Sequence, residues 1–299
     1  MKRWLLRILF ALLVVVAVLV AFVWSRSDIA LNTRYAIDEA PLTLPTDAAS
    51  LARGEHIATT RGCRECHGAD LGGHVVMDVP PIGRLAGPNL TRGHGGIGAT
   101  LSTADWEHAI RHGFKPDGRP LLFMPIRDFA ALSDADTAAV IAWATQVPPV
   151  DREVPPARVG PIGRALFAFG RMPNLLEARL IDQRAPHVAA LPALVSVEYG
   201  RYLASACTGC HGEHLSGGAI PGLPPSFPKA ANLTPDPLTG LGKWSEADFV
   251  HAIRTGNRPD GTVLDPFMPW RNLAHMSDNE LSALWLYLRS QPVRPAGGR

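Results

Sequence analysis

The 299-residue sequence reads as an all-α chain, with one apolar N-terminal helix followed by a single helical unit used twice. Three observations carry this reading. An internal repeat covers most of the chain, serine-headed helix starts recur at matched places, and no segment alternates as a half-buried strand would. Cys63-Arg64-Glu65-Cys66-His67-Gly68 returns as Cys207-Thr208-Gly209-Cys210-His211-Gly212, and Pro80-Pro81 returns as Pro224-Pro225 at the same offset of 144. Asn89-Leu90-Thr91 then matches Asn232-Leu233-Thr234, the stretch 104–111 matches 247–254, and Phe123-Met124-Pro125 matches Phe267-Met268-Pro269.

In order along the chain, residues 1–26 read as a membrane anchor. Lys2, Arg3 and Arg7 precede a run of seventeen uncharged, largely apolar residues from Ile8 to Trp24. At about 1.5 Å per residue the run reaches roughly 25 Å, the short end of a bilayer crossing, and Trp4 and Arg7 extend it at the interface. Only Arg26 closely follows, so the charge asymmetry puts the N-terminus inside the cell and the remainder outside. A cleaved signal peptide shares this pattern. Trp24 and Arg26 flanking Ser25, with no A-x-A site after them, favour an uncleaved single-pass anchor.

Residues 27–47 read as a linker, 48–148 as the first unit, 149–194 as a Pro-rich connector and 195–292 as the second unit. Each unit is expected to open with a helix, 48–60 or about 195–205, whose Gly54 or Gly200 permits close approach of another helix. Ser102 with Asp105 and Ser245 with Asp248 mark the next start. Ser133 with Asp136 and Ser277 with Glu280 mark the last. The connector's short apolar stretches are expected to pack on the two units. Gly 28 and Pro 27 are high for a helical protein and imply long ordered loops, while +2 net charge and 19% charged residues argue against a nucleic-acid partner.

All four cysteines fall in the two Cys-x-x-Cys-His motifs, Cys63 to His67 and Cys207 to His211. Two thiols and an imidazole within about one helical turn form thioethers to haem vinyl groups while the histidine reaches iron, so the chain is expected to carry two covalently bound haems c. A thioredoxin-type site needs a βαβ setting that Gly- and Pro-rich loops do not provide. A four-cysteine zinc site expects its pairs about 15–20 residues apart. Haem of this type is attached outside the bacterial cytoplasm, which agrees with an inner-membrane anchor and periplasmic haem units.

The duplication also selects the second axial ligand. Of six methionines, Met1 is the start, Met77 faces Pro221, Met276 faces Leu132 and Met172 lies in the connector. Only Met124 and Met268 correspond, each 57 residues after its haem histidine and each in Phe-Met-Pro. A core-filling role is the commoner fate of a methionine, but matched placement favours ligation by thioether, which raises the haem potential. His74, His94, His108, His112, His214 and His251 are the competing ligands, and the equivalent His108 and His251 sit on an amphipathic helix. A carbonyl near Pro80 or Pro224 is expected to orient the haem histidine. Asn89, Asn232, Arg84 and Trp270 are candidates for haem propionates, each with an ordinary loop role as the alternative. Asn89-Leu90-Thr91 and Asn232-Leu233-Thr234 also fit a glycosylation sequon, although recurrence within the repeat favours a structural role.

These residues resemble the class I cytochromes c, with Cys-x-x-Cys-His early in each unit and a methionine loop before the last helix. The stretch 232–249, with Met268-Pro269 beyond it, is similar to the cytochrome c subunits of membrane-bound alcohol and gluconate dehydrogenases. Those subunits usually hold three such domains, and this chain holds two. The resemblance covers about residues 48–148 and 195–292. It implies two tandem cytochrome c domains acting as an electron carrier rather than an enzyme, between a redox donor and acceptor, with a dehydrogenase complex as a possible setting. The rival enzyme reading is a dihaem peroxidase, which needs one open iron and is opposed by two equivalent methionines.

Overall fold

The structure is a computed structural model describing residues 2–37 and 39–298; Met1, the start of the expected anchor, and Asp38, within the expected linker, lie outside the described residues. The chain is mostly helical. Helix α1 (Lys2–Asn32) is followed by α2 (Ala48–Thr60), the motif helix α3 (Cys63–His67), and strands β1 (His74–Val79) and β2 (Gly83–Gly87). Next come α4 (Thr103–Glu107), which runs into a π-helical turn at His108–His112, then α5 (Ile126–Phe129) and α6 (Asp134–Ala144). The connector holds β3 (Arg158–Val159), α7 (Pro161–Ala168) and a 3-10 segment, Pro173–Arg179. The second repeat contains α8 (Val197–Ala204), a 3-10 turn at Ser205–Cys207, α9 (Thr208–His211), α10 (Glu246–Thr255), α11 (Trp270–Leu273) and α12 (Asp278–Ser290).

The serine caps form as their chemistry requires. Ser102, Ser133, Ser245 and Ser277 each accept the N–H three residues on, and Ser102, Ser245 and Ser277 complete reciprocal capping boxes with Asp105, Asp248 and Glu280. The glycine contacts form as well. A Cβ on Gly54 would lie 2.0 Å from the Ala139 carbonyl oxygen, and one on Gly200 would lie 2.0 Å from that of Ala283. In both repeats the first helix thus packs backbone to backbone on the last.

The expectation of no strands is corrected by a three-stranded antiparallel sheet in the order β1-β2-β3. All six residues of β1 are exposed, so no alternating face exists for a pattern to record. Its third strand comes from the connector, where Gly83 pairs with Val159 and Arg84 with Arg158.

One buried core runs through both repeats, taking Ile57, Ile141 and Trp106 from the first with Tyr199, Leu203, Leu281 and Leu284 from the second. Where the repeats meet, a carboxylate in the first turn of each last helix exchanges partners. Asp136 accepts from Arg53 of its own repeat and from the Tyr202 hydroxyl of the other at 2.6 Å. Glu280 accepts from Tyr199 of its own repeat and pairs with His56 of the other at 2.7 Å. Arg53 and Tyr199 correspond by the Gly54/Gly200 alignment, as do His56 and Tyr202. The arrangement therefore has an approximate two-fold symmetry within one chain.

The connector packs on the first repeat and also on the anchor helix. Helix α7 lies on the last turns of α1, where Val23, Ser27 and Ala30 are buried. Arg164 donates to Ser27 Oγ at 2.9 Å and stands over the Trp24 ring at 5.5 Å. Ala30 joins a small second core with Leu175 and Leu176, packed against Leu122 and Phe123 of the first repeat. The amphipathic end of α1 is thereby fastened to the rest of the fold.

Candidate haem centres

Each motif helix stops immediately after its histidine, because Gly68 and Gly212 take φ of 80° and 81°, a backbone conformation that side chains disfavour. Three residues further, Leu71 and Leu215 also have positive φ, at 54° and 57°, yet are 2% and 1% exposed. Strain of roughly 1–2 kcal/mol at each is offset by burial of a whole leucine side chain. The chain then doubles back, with Gly73 N–H donating to the His67 carbonyl and Gly217 N–H to that of His211.

The doubled-back loops orient the histidines. His67 Nδ1 lies 3.0 Å from the Pro88 carbonyl and His211 Nδ1 lies 2.7 Å from that of Ala231. A carbonyl only accepts, so Nδ1 carries the proton in both rings and Nε2 carries the lone pair. Burial holds His67 below the usual imidazole range, against the opposing pull of the Pro88 carbonyl. This is the tautomer that iron ligation through Nε2 requires.

Pro88 and Ala231, not Pro80 and Pro224, supply these acceptors. Pro80 and Pro81 lie at the β1–β2 turn, and the Pro81 carbonyl accepts from Ile162 N–H of the connector. The residue that follows each acceptor explains its position. Asn89, 1% exposed, accepts from the Thr91 N–H and hydroxyl and donates to the Val150 and Arg152 carbonyls. Asn232 repeats this with Thr234 and the Arg294 carbonyl. Both asparagines are therefore fastenings that hold the histidine's acceptor in place by tying its loop to the chain beyond the last helix. They are not placed as propionate ligands, and their burial leaves no glycosylation site. Arg84 is likewise taken, paired with Asp78 at 2.8 Å.

Burial pushes the Cys63 thiol up to about 11 and the Cys207 thiol up to about 12, and Cys66 upward too. A thioredoxin-type nucleophile needs the reverse shift. Met124 and Met268 are half-buried against the shared core. The remaining methionines of the described residues lie elsewhere, Met77 exposed on β1, Met276 inside the core and Met172 beside the second core. Among the competing histidines, His108 is half-buried on the π turn, His251 and His214 are exposed, and His94 is exposed beside Glu153.

The loops after the methionines cross between repeats. Helix α5 packs on the Ser205–Cys207 turn and on α9, and α11 packs on α2. Asp128 and the equivalent Asn272 thus face the opposite motif: a Cβ on Gly209 would lie 3.3 Å from Asp128 Oδ1, and one on Gly62 would lie 3.2 Å from Asn272 Nδ2. Arg61 adds a direct tie, donating to Ser205 Oγ and to the Tyr202 carbonyl. Sequence reasoning missed this crossing because nothing local to a four-residue helix records its long-range partner.

The residues fit a covalently attached haem. Besides the fixed tautomers, Arg127 Nε, Trp270 Nε1 and Asn272 Nδ2 are buried donors without a protein partner, clustered in the post-methionine loops. Unmet buried donors are costly, and the carboxylates of haem propionates are matching acceptors.

Paired thiols and an oriented histidine, repeated in one helical setting, define a c-type cytochrome. A family model described as cytochrome c oxidase, cbb3-type, subunit III matches residues 49–143 and 199–288, and the chain belongs to this family. It is 28% identical over 289 residues to the fructose dehydrogenase cytochrome subunit of Gluconobacter japonicus, covering 86% of this chain and 56% of that protein. It is 31% identical over 288 residues to the gluconate 2-dehydrogenase cytochrome c subunit of Pantoea cypripedii, covering 83% and 61%. A diheme cytochrome c-type protein of Cereibacter sphaeroides is 26% identical over 272 residues, covering 81% of this chain and 86% of that protein. The chain thus spans little more than half the length of the dehydrogenase subunits it resembles.

Proposed function

We propose that the chain is a membrane-anchored dihaem cytochrome c that passes single electrons between a dehydrogenase or quinol-linked donor and an exported acceptor. Cys63, Cys66, His67 and Met124 would hold one haem, and Cys207, Cys210, His211 and Met268 the other. The bound haem supplies one-electron exchange at iron. The chain's residues supply the rest. Pro88 and Ala231 keep the proton on Nδ1 and leave Nε2 as the ligating nitrogen, and Met124 and Met268, as the second ligands, would favour the ferrous state. The observation that carries the reading is the histidine lock made twice, at His67 and His211, by equivalent carbonyls. The lock defines two haem-ready histidines, and the equivalent Met124 and Met268 favour a carrier over a peroxidase, which needs one centre left open.

The domain limits follow the repeat, with cytochrome units at 48–148 and 195–292. The anchor reading for 1–26 is supported by α1 being the one helix among the described residues long and apolar enough to cross a membrane. It gains support from α7 gripping Val23, Ser27 and Ala30, since cleavage nearby would discard a packed segment. The haem units then lie at the periplasmic face. The names of the relatives favour a dehydrogenase as partner, and the match to a diheme cytochrome over 81% of this chain and 86% of that protein favours two centres.

A haem count combined with spectroelectrochemical titration tests this. Two haems per chain, both low-spin with a methionine-to-iron charge-transfer band, are expected. Met124→Ala and Met268→Ala should each remove part of that band. Retention of the full band in both variants sinks the ligand assignment, and rapid peroxide turnover with one high-spin centre replaces the carrier reading.

A further inference from the structure

We propose that Glu39, His112 and His187 form a site for a divalent transition-metal cation of the zinc class, fastening the segment after the anchor and the inter-repeat connector to the first cytochrome unit. One ligand atom from each of these residues lies within 4.8 Å of the others. His112 Nε2 and Glu39 Oε2 are 3.3 Å apart. Two ligands bound at about 2.0–2.1 Å to one tetrahedral zinc stand about 3.3 Å from each other, so this edge is already at coordination spacing.

The ring of His112 is prepared for it. Its Nδ1 faces Gln183 Oε1 at 2.8 Å, and the Gln183 amide nitrogen donates to the His112 carbonyl at 3.2 Å and the Ala178 carbonyl at 2.6 Å. Both amide hydrogens are used on carbonyls, so the oxygen is the atom that meets the ring. In the neutral ring the proton then belongs on Nδ1, and the Nε2 lone pair points at a carboxylate. A lone pair and an anion at that separation repel each other unless a cation joins them, either a metal ion or a second ring proton. Arg111, whose charge acts on His187, is already engaged by Glu107 and Asp134.

Each arm is held independently of any ion. Tyr35 stacks on Phe114 at 4.6 Å and its N–H reaches the Gly118 carbonyl, which fixes the chain four residues before Glu39. The Val188 and Ala189 carbonyls accept from Asp134 and Ala135 at the start of α6, which fixes His187. His112 is 2% exposed at the end of the π turn. The cytochrome fold does not demand this cluster, because the second repeat has the exposed Thr255 at the equivalent place, closing a regular α10. Two imidazoles and a carboxylate suit zinc, with copper(II) the strongest competitor, and disfavour calcium and magnesium, which take oxygen ligands.

The test uses the untagged, haem-loaded full chain in detergent, stripped with chelator and titrated with zinc chloride by calorimetry, with metal analysis after desalting. One tightly retained zinc per chain and a zinc-dependent rise in the thermal midpoint are expected. Glu39→Gln and His187→Ala, both on partly exposed side chains outside the haem units, should each weaken that site roughly tenfold or more. Haem spectra and helical content should stay unchanged. A thermal midpoint indifferent to zinc, or variants that hold zinc as tightly as the unaltered chain, overturns the proposal and leaves His112 and Glu39 as an ordinary ion pair. The outcome is independent of the haem reading, because neither haem count nor potential enters it.

Discussion

The two repeats share the parts that hold a haem histidine and differ in the parts that look outward. The shared set is the glycine helix contact, the serine caps, the carbonyl on Nδ1 and the Asn-x-Thr fastening. Arg111 and Arg254 extend it, each reaching Asp134 or Asp278 at the start of the last helix. The first repeat alone has the β1–β2 hairpin, the π turn and the buried Glu107–Arg111 pair at 3.2 Å, where the second has Val250 in place of the acid. What recurs is what the fold cannot vary. What differs is placed to meet the anchor, the connector or a partner.

Breaking the shared set should have the largest effect. Gly54→Ala and Gly200→Ala both drive a methyl into a backbone carbonyl that cannot rotate away. Each should cost roughly 3 kcal/mol or more, read as lost stability in denaturant titration. Near-equal losses support equivalence of the helix pairs, while a tolerated substitution on one side shows that its helices can part. Next in size is Tyr202→Phe, which strips Asp136 of a 2.6 Å hydrogen bond and leaves the Ser133 N–H without its hydroxyl acceptor. A loss of about 1–3 kcal/mol is expected, with haem content retained.

The shared set was also the more legible one. Gly54, Gly200 and the four capping serines act through neighbours one turn away or through a matched partner in the repeat, so residue type and spacing record them. The hairpin was missed because Val75, Val76 and Met77 are all exposed and its third strand lies in the connector. The histidine acceptors were misplaced to Pro80 and Pro224 because the visible dipeptide repeat lies nearer than Pro88 and Ala231. The Asn-x-Thr pattern beside the true acceptors was the available signal. The packing of α7 on α1 depends on Arg164 meeting Ser27 and Trp24 across the fold, which no periodicity encodes.

The junction between repeats supplies a pH prediction. Burial alone would raise the Glu280 carboxyl, but His56, the Ser277 N–H and Arg53 outweigh it and hold it down from 4.5 to about 2. A carboxyl depressed on folding stabilises above its unfolded value and loses that contribution as pH falls through the folded one. Stability from Glu280 should therefore be complete above 4.5 and lost progressively toward about 2. Glu280→Gln should flatten the profile in that window while lowering stability at neutral pH. A profile unchanged by the substitution places the acid sensitivity elsewhere.

The smallest effect would separate the two proposed centres electronically. Asp128 and Asn272 occupy equivalent positions facing opposite motifs, one acidic and one neutral. Burial, with the Glu177 carboxylate adding to it, pushes Asp128 up to about 7, so its charge varies across the neutral range. A nearby negative charge favours ferric iron. Asp128→Asn should therefore raise the potential of the second centre by an amount on the order of tens of millivolts at alkaline pH, and by little at acidic pH where the native carboxyl is already protonated. Asn272→Asp should lower the first centre instead. Spectroelectrochemical titrations on either side of neutrality read both changes. If both swaps leave both potentials unmoved, these side chains serve packing alone.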